Sequence, residues 1–291
     1  MSLRKLPQAS LPARPQNFQG DAPSDVMARW AETPQAAASD DAAVIDIFGL
    51  IGTDYWTGES NTPSTVGAAL ARAGRGDVTV RVNSPGGDMF DGIGIYNMLA
   101  AHPGKVSIEV LGWAASAASV IAMAGDTVTM GAGSFIMVHD AWGLTVGNRH
   151  DFTAAADLFA QFDAALVDIY VARTGMKPAD VAALMDAGNG NGTFMSVDEA
   201  IAKGFTDGKM TAAAAQAHAA APGADAALMA RRRTEAALAA AGFSRADRSQ
   251  MIAAMGSTKP SGQRDATTHP AARDAGDVMA GLDRLLANLS N

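Results

Sequence analysis

Val78-Thr79-Val80-Arg81-Val82-Asn83-Ser84-Pro85-Gly86-Gly87-Asp88 reads as a strand that runs into a tight turn. The turn opens onto a helical pattern, Ile93, Ile95, Tyr96, Met98 and Leu99. Paired glycines at such a junction let the backbone turn sharply and leave N–H groups unscreened by a Cβ, the kind of donor a developing oxyanion needs. Alone, Pro-Gly-Gly is only a turn signal. Two later segments give it chemical weight. Gly112-Trp113-Ala114-Ala115-Ser116-Ala117-Ala118-Ser119 follows the apolar run Val106-Ser107-Ile108-Glu109-Val110-Leu111 and sets a serine among small residues. Phe135-Ile136-Met137-Val138 then ends in His139-Asp140. A serine hydroxyl is a poor nucleophile until a neighbouring base takes its proton, so these are the minimum parts of an acyl-transfer site.

Working outward, Ala43-Val44-Ile45-Asp46-Ile47-Phe48-Gly49 predicts the first strand of the globular domain. Further strands at 78–82, 106–111, 127–130 and 134–138 alternate with helical patterns at 92–101 and 115–124. That alternation predicts α/β layers around a largely parallel sheet. The crossover helices carry Gly87 and Ser116 near their starts, at carboxyl ends of strands, where α/β sites are built. A long helix from Asp151 to about Thr174 follows, with Phe152, Leu158, Phe159, Phe162, Leu166, Ile169 and Tyr170 at helical spacing. Gly175 ends it, and Pro178 starts the next.

Asn83-Ser84-Pro85-Gly86-Gly87, then Gly112-x-Ala-Ala-Ser116, then Met137-x-His139, resembles the Clp protease proteolytic subunit (ClpP) family. It is closest to the phage branch, the head maturation (prohead) proteases. The resemblance covers roughly Ile45 to Asp207 and closes in Ser196-Val197-Asp198-Glu199-Ala200-Ile201-Ala202-Lys203-Gly204-Phe205-Thr206-Asp207, similar to the family's terminal S-x-x-E-A-x-x-x-G-x-x-D. It implies a ClpP/crotonase-like layered α/β fold with repeated β-β-α units and a protruding handle helix, through which two rings interdigitate. It implies Ser116 as nucleophile, His139 as general base, and the N–H groups of Gly87 and Ala117 as the oxyanion hole. It further implies a homo-oligomeric ring, polypeptide substrates (capsid or scaffold precursors in the phage branch), action with or without an ATPase unfoldase, and no metal or organic cofactor.

The third triad member is where the chain departs from that pattern. The family carries an acid just before the aromatic residue that opens the closing segment, and here the sequence is Gly190-Asn191-Gly192-Thr193-Phe194. Asp186, slightly upstream, is the best substitute. Asn191 is next, since an amide can orient an imidazole without adding charge. Asp140 ranks lower because adjacent strand residues face opposite sides. Loss of the orienting acid costs roughly 10⁴ in turnover, which leaves a slow Ser–His dyad open. Ser119 and Ser134 read as packing and turn residues. Lys105 and Lys203, the thinkable bases of a Ser–Lys dyad, lie in no segment that the resemblance places beside Ser116.

The 291 residues suit one large domain with appendages. Hydrophobic content of 48% with only 6% aromatic predicts a core of Ala, Val, Ile, Leu and Met. A net charge of −8 argues against nucleic-acid binding, and Arg231-Arg232-Arg233 reads as a solvated face. With no cysteine there is no disulfide and no thiol nucleophile, and the five histidines show no metal-ligand spacing. The N-terminus lacks the apolar run of a signal peptide, and no apolar stretch is long enough to span a bilayer. The expectation is a cytoplasmic protein, in a bacterial host or a procapsid if phage-encoded, with no membrane partner.

Four regions are expected: a mobile N-terminal arm (1–42), the protease-like domain (43–210), an Ala-rich helical segment (211–255), and a linker with a short terminal helix (256–291). The tail is read either as a scaffold- or shell-binding element or as a solvated appendage. Two other functions remain open. A crotonase-like acyl-CoA enzyme would need neither Ser116 nor His139, and a non-catalytic ring or scaffold subunit would fit the missing acid.

Overall fold

The computed structural model describes residues 19–20, 30, 41, 43–53 and 60–211, with residues 234–235, 237–238, 241, 243, 247–248 and 250–252 in the C-terminal region. The expected linker, the terminal helix and the Arg231–Arg233 cluster lie outside them. Residues 234–235, 237–238, 247–248 and 250–252 are helical and lie inside the segment 211–255 expected to be helical.

The central sheet has seven strands. β2 (Val44–Phe48), β5 (Val78–Ser84) and β6 (Val106–Ala115) run side by side and parallel. Beyond β6 the sheet forks. The first half of β6 carries β7 (Thr127–Met130), which in turn carries β11 (Gly208–Lys209), both parallel. The second half carries β8 (Phe135–Val138) in parallel, and β10 (Thr193–Ser196) closes that branch antiparallel to β8.

The fork has a local cause. Val82 pairs with Val110 but Ser84 pairs with Ala114, so β6 bulges against Asn83. The Asn83 side chain fills the bulge and accepts the Trp113 N–H at 3.2 Å. A Cβ on Gly112 would stand 2.7 Å from that amide oxygen, so glycine is needed there. A bulge bends its strand, and this one swings the end of β6 from β7 to β8. The Asn of the first motif and the Gly of the second are thus one device. The strand expected to end at Leu111 accordingly runs on to Ala115.

The helices are placed by their caps. α1 (Pro63–Ala73) starts on a Thr62–Thr65 capping box with Pro63 in its first turn. Asp88 caps α2 (Met89–Ala100), its carboxylate accepting the Phe90 and Asp91 N–H groups, so the helix begins three residues before the apolar pattern predicts. α3 (Ala117–Ala122) is short and wholly buried. α4 (Arg149–Thr174) opens on an Asn148–Asp151 capping box and ends at the left-handed Gly175. α5 spans Pro178–Met185 and α6 spans Val197–Ala202.

The core is the expected aliphatic one, with Ile47, Val80, Val82, Ile95, Val110, Ile121 and Val128 shielded from solvent. α4 joins it from Leu158 onward, with Phe162, Leu166, Ile169 and Tyr170 buried. Its first turns are open, with Phe152 53% exposed, as a protruding helix requires. The closing segment is pinned twice. Ser196 and Glu199 form a reciprocal cap for α6. Asp207 accepts the Val128 N–H at 2.7 Å and meets the buried Arg173 at 2.6 Å.

Outside the central sheet, β3 (Gly52–Thr53) pairs with β4 (Ser60–Asn61), and β9 (Gly143–Leu144) pairs antiparallel with β1 (Gln19–Gly20). Residues of the arm expected to be mobile therefore touch the domain. Trp30 does so too: it is fully buried in a cluster with Trp113, Ala115, Met137 and Phe194.

Candidate active site

Ser116 is the single residue between β6 and α3. Its backbone lies at φ 55 and ψ −127, a conformation that costs a non-glycine residue about 1–3 kcal/mol. The surroundings hold it there. Its N–H donates to Met137 O at 2.9 Å. Its carbonyl accepts the Ser119 N–H at 2.9 Å and the Ser119 hydroxyl at 2.6 Å. Ser119 in turn meets the Tyr170 hydroxyl at 2.8 Å, and burial pushes the Tyr170 phenol upward. Ser119, read as packing, also fixes the turn that carries Ser116.

β8 delivers the histidine. His139 directly follows Val138, is buried, and its Nε2 lies 2.7 Å from Ser116 Oγ. The two residues thus meet at hydrogen-bond distance without being neighbours in sequence.

The Pro-Gly-Gly turn faces them from β5. Gly86 O accepts the Ile51 N–H at 2.8 Å and Asp88 N–H donates to Ile51 O at 3.0 Å, a parallel bridge that leaves the intervening Gly87 N–H pointing away from Ile51. Gly87 lines a cleft with Ser116, Ala117 and His139. Ala117 is the first residue of α3, where an amide has no intrahelical acceptor. Close approach explains both glycines. A Cβ on Gly86 would meet Ser116 Cβ at 2.5 Å, and one on Gly87 would run into the Ile51 backbone. The remaining cleft walls are Met89, Val120, Leu166 and Tyr170 on one side and Asp140, Ala141 and Trp142 on another.

Asp186, at the C-terminal end of α5, groups with Asp140, whose carboxyl it raises by its charge and by a side-chain hydrogen bond. Asn191 turns its amide to Gly188 O at 2.7 Å. The cause is the path of the intervening chain. Gly188 and Asn189 are both left-handed and bring Gly192 directly onto His139, so tightly that a Cβ there would collide with the Val138 carbonyl and His139 Cβ. No side chain, acidic or otherwise, fits at position 192 on this backbone.

A third acid joins the pair. Asp163 of α4 accepts the Ala141 N–H at 2.6 Å. Burial, then the Asp163 and Asp186 charges, then the hydrogen bond with Asp186 push the Asp140 carboxyl up to about 6. Asp163 is raised as well, by burial first and by Asp186, against the lowering effect of the Ala141 N–H. The sequence reading missed Asp163, yet a signal was present. Phe159, Phe162, Asp163, Leu166 and Tyr170 share one helical stripe, and a lone acid on an apolar stripe has a buried task.

A strained serine, hydrogen-bonded to a histidine, shares one cleft with Gly87 and Ala117. Among the described residues no helix is long and apolar enough to cross a membrane. The family model for Clp protease matches residues 67–212, half of the chain and the stretch that contains β5 to β11 with all of these residues. This chain belongs to the Clp protease family.

Proposed function

We propose that the chain is a serine endopeptidase that works through an acyl-enzyme on Ser116. The observation that carries this reading is the 2.7 Å contact between His139 Nε2 and the hydroxyl of a serine held at positive φ. His139 takes the proton as Ser116 Oγ attacks the peptide carbonyl, and gives it to the leaving amine. The Gly87 and Ala117 N–H groups stabilise the tetrahedral oxyanion, each donor of this kind being worth about 10²–10³ in turnover. Water then releases the acyl group by the reverse path, with His139 again as base.

In this reading Asp186 acts through Asp140. With Asp163 it fixes the chain on the far side of His139, a positioning role spread over three carboxyl groups. The apolar cleft walls favour an extended polypeptide with an apolar side chain near the scissile bond. The sequence resemblance to the phage branch makes capsid or scaffold precursors the first substrates to test, acting in a homo-oligomeric ring with or without an unfoldase.

The test is hydrolysis of denatured polypeptide and short fluorogenic peptides by the full chain and by Ser116→Ala. Loss of cleavage in the variant, with an unchanged melting temperature, supports the reading. Equal cleavage by both proteins refutes it.

A further inference from the structure

The central sheet carries a second, smaller core at its catalytic end. Side chains alternate along a strand, so Ala114, Ile136 and Val138 face the main core while Trp113, Ala115 and Met137 face the other way. The register sets these side by side, with Ala115 opposite Met137 and Met137 opposite Phe194. Trp113 meets Phe194 edge-on, their ring centroids 5.5 Å apart. Among the described residues, the one member of this cluster from outside the sheet is Trp30, whose ring is fully buried.

Two residues of that cluster reach both reacting groups. Ala115 is joined to Ser116 by a peptide bond. Met137 accepts the Ser116 N–H at 2.9 Å through its carbonyl and stands two residues before His139, whose Nε2 meets Ser116 Oγ at 2.7 Å. Ser116 is held at φ 55, a conformation that persists only where the surroundings over-determine it. The Ser119–Tyr170 pair restrains that turn from the main core. Trp30 backs it from the opposite face of the sheet. Trp30 also lies outside residues 67–212, so the family match assigns it no part.

We propose that Trp30 is a positioning residue of the catalytic site. By filling the second core it holds Ala115 and Met137 in place, and through them it sets the approach of His139 to Ser116. The inference rests on the peptidase reading above and adds to it a residue of the N-terminal arm on which turnover depends. Removing the indole would open an apolar cavity behind Met137, and the surroundings of such a cavity relax into it only in part. The chain at 115–116 and 137–139 is then free to shift, and a displacement of about 1 Å at reacting groups costs about 10²-fold in turnover. Trp30 is not among the residues of the cleft wall, so its loss leaves substrate affinity unchanged.

The experiment compares the full chain with Trp30→Ala, Trp30→Leu and Trp30→Phe. Leu70→Ala is the control, since it opens the main core at α1, away from the site. Peptide hydrolysis, fluorophosphonate labelling of Ser116 and thermal melting are read on each. Trp30→Ala is expected to lower kcat and the labelling rate together by about 10²-fold, with KM within about twofold of wild type. Trp30→Phe keeps a ring in the pocket and is expected to retain most of the turnover, with Trp30→Leu between the two. An apolar cavity of this kind admits an aromatic guest, so added indole is expected to raise the kcat of Trp30→Ala and to leave wild type unchanged. If Trp30→Ala does not fold, Trp30→Leu carries the comparison. A kcat within about threefold of that of Leu70→Ala, or a rise in KM in place of a fall in kcat, overturns the inference. Indole that raises the melting temperature of Trp30→Ala without raising its kcat overturns it too. Wild type that labels at Ser116 and cleaves peptide, with Trp30 variants no slower than the control, removes this inference alone. Wild type that neither labels nor cleaves removes the peptidase reading and this one with it.

Discussion

Gly86→Ala is the sharpest perturbation that the site offers. Gly86 has φ 93, and the added Cβ would stand 2.5 Å from Ser116 Cβ, 2.7 Å from Ala115 O and 3.0 Å from Ala117 N. None of these atoms is the far end of a flexible side chain, so no rotamer change relieves the clash. Backbone strain at positive φ contributes about 1–3 kcal/mol and overpacking about 1–3 kcal/mol, for a total of roughly 2–6 kcal/mol. The nearest relief is to push the β6–α3 turn away, which moves both the nucleophile and the Ala117 donor. Misplacing one oxyanion donor costs about 10²–10³ in kcat. Gly133→Ala is the matched control, with φ 77 and nothing within 4 Å of its Cβ. It carries the strain alone, about 1–2 kcal/mol, and leaves turnover unchanged. Urea unfolding and steady-state peptide hydrolysis measure both quantities. If Gly86→Ala keeps kcat within about threefold of Gly133→Ala, the turn does not position the nucleophile and the geometric argument fails.

Three further predictions concern the supports of the site. Asp140 holds its proton more tightly folded than unfolded, so the stability it confers is full below about pH 4 and lost as pH rises through about 6, and Asp163 shifts in the same direction. The chain should melt at a lower temperature at about pH 7.5 than at about pH 5, and Asp186→Asn should narrow that gap; thermal melts with equal gaps would contradict the coupling. Asp207→Ala removes the 2.6 Å acceptor of the buried Arg173 and, the carboxylate itself being 41% exposed, should cost about 1–3 kcal/mol in urea melts, where a cost under about 0.5 kcal/mol would show the pair to be incidental. Ser119→Ala leaves the buried Tyr170 hydroxyl without its 2.8 Å partner and should cost about 1–3 kcal/mol, together with a fall in kcat from the loosened Ser116 carbonyl. Stability loss with unchanged kcat would confine Ser119 to packing.

The meeting of Ser116 and His139 was legible in the sequence because each stands at the end of an apolar strand and the Ser116 segment carries small residues that suit a crowded turn. Gly112 was legible as a motif residue, but not its reason, since the Asn83 amide that fills the bulge comes from another strand. The same bulge hid the true end of β6, because Gly-Trp-Ala-Ala carries no strand alternation. The carboxylates were the least legible part. Asp186 and Asp140 were both weighed as partners of His139, and their contact with each other depends on two left-handed residues whose conformation a Gly-Asn-Gly run permits without specifying. Asp163 reaches the group only through the docking of α4. Trp30 lay in a Pro-rich segment read as a mobile arm, and its pocket is built from three different strands.

The central claim is that Ser116 is a nucleophile activated by His139. Its most direct measurement is labelling of the full chain by a fluorophosphonate, with the modified residue located by peptide mass spectrometry. The account predicts a single adduct on Ser116, lost in Ser116→Ala and slowed by about 10³-fold or more in His139→Ala. Labelling that is absent from wild type, or equally fast without His139, would contradict it.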